Sequence, residues 1–246
     1  MIHDETRRKL RALNLDELVE YLDMHITESD KLELSFDEKL QLMVEYLYQT
    51  KFNIKTEHLI KLSKFRLPRA ELNDIHYVQR GIDKHKMLEL GTCEFMEKYK
   101  NIVFQGFTGS GKTYLACAIG KQACKQQYRT RYIRIPDLLM EYDEYRLIPT
   151  GTQKLLKKYS AYHLLILDEW LLEETSNDER YFLFELIERR YGAASTIFCT
   201  QFRKEDWHGR LGGGTQADAI MDRIVHDAIN IDTGTLNMRE YYSSRR

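Results

Sequence analysis

Apolar residues at the amino end recur at helical intervals. Leu10, Leu13, Leu15, Leu18 and Leu22 are spaced for one or two amphipathic helices, and Asp16 lies early enough to favour a helix N-terminus. Ser35-Phe36-Asp37-Glu38 is a capping-box signature, with Ser35 as N-cap and Glu38 three residues on. The helix behind it has an apolar face at Leu40, Met43, Val44 and Leu47, and a further helix is expected over about Thr56 to Ser63. Glycine is almost absent from this stretch. The pattern predicts a small helical domain over residues 1–72.

A connector follows at 73–100. It holds a short strand candidate, Ile75-His76-Tyr77-Val78, then a turn at Arg80-Gly81 and a helix from about Asp83. From residue 101 the pattern alternates strand and helix. The expected strands are Asn101–Gln105, Thr130–Ile135, His163–Asp168, Ser195–Thr200 and Ala228–Ile231. Such alternation predicts an α/β domain over 73–246, with a parallel five-stranded sheet and helices on both faces.

Composition narrows the class. The chain has 246 residues, 43% hydrophobic and 30% charged, as a globular protein requires. Formal net charge is −1, so any nucleic-acid binding must come from local patches. Cys93, Cys117, Cys124 and Cys199 form no C-x-x-C pair, which disfavours a zinc ribbon and suits buried thiols in a reducing compartment. Residues 1–10 lack a signal-peptide core, and no run approaches the roughly 18 apolar residues of a membrane span. The expected location is the cytoplasm, with no membrane partner.

The chemistry is concentrated in the α/β part. Gly106-Phe107-Thr108-Gly109-Ser110-Gly111-Lys112-Thr113 matches G-x-x-x-x-G-K-T in full, between an apolar strand and a helix. Its glycines let backbone N–H groups turn toward phosphates, and the helix N-terminus adds partial positive charge. Lys112 is expected at the β- and γ-phosphates, and Thr113 at Mg²⁺. Some 55 residues on, the apolar run Leu164–Leu167 ends in Asp168-Glu169. Asp168 is expected to hold Mg²⁺, and Glu169 to polarise the attacking water. Ser195–Thr200 ends in Gln201; if this strand lies beside that of Asp168, Thr200 or Gln201 faces the γ-phosphate or the water. An ordinary strand end with a surface turn is the alternative for Gln201.

Together these residues resemble the AAA+ P-loop ATPases, within them the bacterial helicase-loader group, and most closely IstB-like transposition helper proteins. The resemblance is carried by Lys64-Phe65-Arg66-Leu67-Pro68, Asp74–Tyr77, Arg80–Lys84, the P-loop, Asp168-Glu169-Trp170, Glu188–Gly192, Trp207-His208 and Asp218–His226. It covers nearly the whole chain and is weakest over the first 35 residues. It implies an ATP- and Mg²⁺-dependent ATPase that forms homo-oligomers promoted by ATP and DNA, binds double-stranded DNA, and assists a cognate transposase in target selection. It also implies that Arg223 is an arginine finger acting on a neighbouring subunit; a salt bridge to Asp222 or Asp218 is the plainer alternative. Only 23 residues follow Arg223, too few for the helical lid of many AAA+ proteins. A lid-borne second sensor is therefore in doubt, Arg239 being the nearest substitute.

Basic residues are segregated. Residues 51–69 carry Lys51, Lys55, Lys61, Lys64, Arg66 and Arg69 against one acid, Glu57. A second acid-free run includes Lys121, Lys125, Arg129, Arg131 and Arg134, and a third cluster is Lys154, Lys157 and Lys158. Such runs suit phosphate tracking, or equally a solvated helix face. The resemblance favours DNA for the first two, notably Lys51, Lys55, Lys61, Lys64, Arg66, Arg69, Arg129, Arg131 and Arg134. Two other readings compete: a loader for a replicative helicase, and a small-molecule P-loop kinase. Asp168-Glu169 favours activating water over a kinase acceptor.

Overall fold

A computed structural model describes residues 3–29, 34–226 and 228–243. The chain falls into two compact units, Met1–His58 and Leu59–Arg246.

The first unit is helical. Helix α1 spans Asp4–Ala12, α2 spans Asp16–Ser29, and α3 starts at Phe36. Val19 is buried, and the Tyr21 ring lies against Tyr46. Lys51 ties α3 to the α1–α2 turn by donating to the Asn14 carbonyl at 2.9 Å and pairing with Glu17 at 3.6 Å. The predicted capping box is present: Glu38 N–H donates to Ser35 Oγ at 3.3 Å, and Ser35 N–H donates to Glu38 Oε2 at 2.7 Å. The separate helix expected over Thr56–Ser63 is instead the end of α3, which runs unbroken over Phe36–Ser63. No glycine or proline interrupts that run, so nothing stops propagation.

In the second unit, the strand expected at Ile75–Val78 does not form. The segment holds a 3₁₀ turn at Leu72–Asp74 and a short helix α4 (Tyr77–Arg80), closed by Gly81 in the left-handed region. The Tyr77 hydroxyl donates back to the Leu72 carbonyl at 2.7 Å. This local bonding, with Ile75 and Tyr77 buried, replaces a ladder. Helices α5 (Lys84–Gly91) and α6 (Glu94–Glu97) complete the connector, with Asp83 capping α5.

The α/β pattern then holds. Strands β1 (Ile102–Gln105), β2 (Thr130–Arg134), β3 (Leu164–Asp168), β4 (Ser195–Thr200) and β5 (Ile229–Asp232) form one parallel sheet ordered β2-β3-β4-β1-β5. The helices are α7 (Lys112–Lys125), α8 (Ile135–Tyr145), α9 (Gly151–Ser160), α10 (Asn177–Arg190), α11 (Lys204–Arg210), α12 (Gly214–Val225) and α13 (Met238–Ser243). Alternate strand residues feed two cores. Ile102, Phe104, Leu164, Ile166, Ile197 and Cys199 pack with α5 and α7. Val103, Leu165, Leu167 and Phe198 pack with α8 to α12. Burial on both faces explains the nearly continuous apolar strands. All four cysteines are free and buried. No helix among the described residues is long and apolar enough to cross a membrane. After β5 the described residues hold the six-residue α13 and no further helix.

This order sets β4 between β3 and β1. The carboxyl ends of these three strands therefore bring Asp168, Gln201 and the loop after Gln105 to one rim, where open α/β sheets bind ligands.

Candidate active site

The loop after β1 turns on glycine. Gly109 and Gly111 have φ of +90° and +88°, and there is no room for a side chain at either. A Cβ at Gly109 would lie 2.5 Å from Asn237 Oδ1, and one at Gly111 2.9 Å from the Arg80 guanidinium. The loop is held from behind. Arg80 Nη2 donates to the Ser110 carbonyl at 2.5 Å, and the Thr233 hydroxyl to Ser110 Oγ at 2.6 Å. Met238 N–H donates to the Gly109 carbonyl at 2.9 Å. Arg80 is buried, which pulls its pKa below the ordinary arginine value.

Lys112 opens α7 and folds back over the loop, donating to the carbonyls of Gly106 at 2.7 Å and Phe107 at 2.9 Å. Burial pulls its ammonium below the usual lysine range, while Cys199 and Asp168 act in the opposite sense. Beside it, Asp168 is 2% exposed. Its Oδ2 accepts from the Thr113 and Tyr132 hydroxyls, each at 2.7 Å, and its Oδ1 accepts from Glu169 N–H at 2.9 Å. Burial, reinforced by Asp168, pushes the Tyr132 hydroxyl far above its usual pKa, so it remains a donor.

Glu169 sits in the left-handed region at φ +61°, a rare conformation for a side chain that branches off a strand end. Its carboxylate lies between two guanidiniums, Arg66 Nη1 on Oε1 and Arg134 Nη1 on Oε2, both at 3.5 Å. Gln201 follows β4, and its Oε1 accepts from the Thr108 hydroxyl at 3.0 Å. Lys112, Thr113, Asp168, Glu169 and Gln201 thus line one cavity of ≈ 470 Å³, with Thr108, Gly109 and Gly111 of the loop.

This cavity suits a nucleotide triphosphate and magnesium. Its volume is in the range of small-ligand pockets. Thr113 Oγ1 and Asp168 Oδ2 are hard oxygen donors set side by side, as Mg²⁺ prefers, with further positions left for phosphate and water. The Lys112 ammonium is bonded to carbonyls and to no carboxylate among the described residues, and the leading N–H groups of α7 point the same way.

Arg223 is elsewhere. The Asn101 side-chain amide donates to its carbonyl at 3.3 Å, at the amino end of β1. The loop begins at Gly106, five residues on and across β1, or roughly 16 Å at about 3.3 Å per residue. Neither Asp222 nor Asp218 is the partner of Arg223. It pairs through Nε with Glu188, and Nη1 donates to the Ala219 carbonyl at 3.0 Å.

The basic residues scatter. Lys55, Lys61, Lys64 and Arg69 are exposed, as are Lys51 and Arg129. Arg66 and Arg134 face the nucleotide cavity through Glu169, and Arg134 also pairs with Asp137 at 2.6 Å. Arg131 is 8% exposed, with Nη1 3.5 Å from the Leu62 carbonyl; burial takes it away from any phosphate track.

Several residues that brace or line the pocket carry no motif of the nucleotide site. Behind the pocket, Arg80 was legible as part of a turn and of the family resemblance, Tyr132 only as a strand residue, and Thr233 not at all. Met238, Arg239 and Tyr242 of α13 line the cavity. Arg239 alone had a signal, its place after the expected finger.

Comparison with known proteins agrees with this geometry. Residues 8–245 match the family model of the IstB-like ATP binding protein. The insertion sequence ATP-binding protein y4pL of Sinorhizobium fredii is 32% identical over 241 residues, covering 97% of each chain. The ATP-binding protein of insertion sequence IS232 from Bacillus thuringiensis is 29% identical over 244 residues, covering 98% of this chain and 97% of its own. Among solved structures, DnaI superposes with a TM-score of 0.55 at 23% identity, over 70% of this chain and 91% of that one. The DnaC helicase loader gives 0.54 at 23%, over 66% and 96%. The fold is thus shared with those proteins, and the match along almost the full length places the chain itself in the family of IstB-like ATP-binding proteins.

Proposed function

We propose that this chain is a magnesium-dependent ATPase that assembles on double-stranded DNA as a homo-oligomer and assists the transposase of its insertion sequence. The observation that carries the chemistry is the contact of Thr113 Oγ1 with Asp168 Oδ2 at 2.7 Å, with Glu169 next in the chain. Magnesium, when bound, screens the phosphate charge; Thr113 and Asp168 would hold it. Lys112 binds the β- and γ-phosphates, and the loop N–H groups orient them in the cavity. Glu169 accepts a proton from the attacking water, and Gln201 orients that water beside Thr108.

The position of Arg223 supports an intermolecular role. Its residue lies at the amino end of the sheet, remote from its own P-loop, and its guanidinium, on release from Glu188, would meet another copy's phosphate. There it would stabilise transition-state charge, an effect of about 10³-fold or more in other NTPases. The exposed Lys51, Lys55, Lys61, Lys64, Arg69 and Arg129 are the proposed DNA contacts, with residues 1–72 as the DNA- and partner-binding domain. The names of the relatives, ATP-binding proteins of insertion sequences, support transposition as the setting.

Lys112→Ala tests the nucleotide site. It should abolish measurable ATP affinity in equilibrium titration. Affinity equal to the parent's would remove the P-loop from the account.

A further inference from the structure

The segment after α3 runs against the P-loop helix. Ser63 is fully buried, and its hydroxyl lies 3.2 Å from Cys124 Sγ on α7. Phe65 is buried over Gly120, where a Cβ would come within 2.7 Å of the ring. Glu71 then takes Lys121 at 2.6 Å and Lys125 at 3.2 Å. Gly120 permits this close approach, and the anchors on either side fix where Arg66 emerges.

Arg66 emerges into the nucleotide cavity. It lines that cavity together with Lys112, Thr113 and Asp168, and its guanidinium is 3.5 Å from Glu169 Oε1. Its side chain is half exposed, so packing does not require the charge. The Tyr132 hydroxyl, with Asp168 and Glu169 behind it, raises the Arg66 pKa and keeps the cation available.

We propose that Arg66 distinguishes ATP from ADP within its own subunit, leaving the Glu169 carboxylate for the terminal phosphate of a bound triphosphate. The inference rests on the P-loop reading above. A terminal phosphate presents up to two negative charges and three acceptor oxygens, against one charge on Glu169. A guanidinium fork matches phosphate geometry and forms strong charge-assisted hydrogen bonds to it. With a diphosphate no such acceptor is offered, and Arg66 stays on Glu169. Arg66 is thus a phosphate-selectivity residue.

The test is equilibrium binding of ADP and of a β,γ-methylene ATP analogue to the full chain, comparing parent, Arg66→Ala, Arg66→Lys and Lys112→Ala. Arg66→Ala should weaken the triphosphate analogue by about tenfold, the worth of one charge-assisted hydrogen bond, and leave ADP within about twofold. Arg66→Lys should fall between Arg66→Ala and the parent. An unchanged ratio between the two nucleotides overturns the proposal, whether both affinities hold or both fall together. So does a loss confined to duplex DNA binding, which would return Arg66 to the DNA surface. Lys112→Ala separates the two layers: if it leaves both nucleotides bound as in the parent, the P-loop reading itself has failed.

Discussion

The hydroxyl of Thr113 donates to Oδ2 of Asp168 across 2.7 Å, joining residues 55 apart in the chain. One opens α7 and the other ends β3. Their meeting follows from the strand order, which sets β4 alone between β3 and β1. Tyr132 closes the same carboxylate oxygen from β2. The fold itself sets the donors of the proposed magnesium site side by side, so little ordering is left for binding to pay for.

Glu169→Gln should retain ATP binding and lose turnover by about 10²-fold or more, the usual worth of a positioned general base. The amide cannot take the proton of water. It should also accumulate the ATP-bound assembly. Single-turnover hydrolysis beside nucleotide titration checks both; turnover near the parent rate would move the catalytic role to another residue.

Neutralising Lys61, Lys64 and Arg69 together should weaken duplex binding and flatten its salt dependence. All three are exposed on or just beyond the end of α3. Each lost phosphate contact lowers the log–log slope by about 0.9. Affinity measured from low to moderate salt gives the slope, and an unchanged slope would assign these residues to a solvated face.

His163 makes stability depend on pH. Its Nδ1 accepts from Arg129 N–H at 3.0 Å, which needs an unprotonated ring nitrogen. Burial, then Arg129 and Arg190, lower its pKa from the ordinary 6.5. The folded chain therefore binds fewer protons here than the unfolded chain. The contribution is complete above about pH 6.5 and is lost as pH falls through the lowered value. Thermal unfolding between about pH 7 and pH 5 should show the loss, and His163→Asn should reduce it. An identical acid slope in that variant would exclude His163 as the source.

Much of this was readable from residue pattern because the pattern and the packing agree. The five strands appear within a residue of their expected ends; burial on both faces leaves β1, β3 and β4 as nearly apolar runs. The P-loop and Asp168-Glu169 lie on the rim that such a sheet provides. Strand propensity failed where local turn and cap bonding decided the backbone. Ile75–Val78 has strand-forming residues, but the Tyr77 hydroxyl and the Gly81 cap close it into turns. The break expected before Thr56 does not exist, because α3 contains no residue that would stop it. Basic clusters were the least readable. Arg131 and Arg134 stand three apart on one strand, yet one is buried and the other faces Glu169. Arg80 and Thr233 brace the loop from distant segments, and nothing in the sequence around either signals that contact.

The central claim is that hydrolysis requires two copies of the chain, one supplying Lys112, Asp168 and Glu169 and the other Arg223. Arg223 lies at the amino end of β1, its carbonyl bonded to Asn101 and its guanidinium to Glu188, while the P-loop opens at the carboxyl end. The direct measurement mixes Glu169→Gln with Arg223→Ala, each inactive alone, and follows phosphate release with ATP and duplex DNA present. In mixed assemblies some interfaces pair an intact Glu169 with an intact Arg223, so part of the parent activity should return and depend on the mixing ratio. No recovery at any ratio, with co-assembly demonstrated, would contradict the claim and leave Arg223 to its pairing with Glu188.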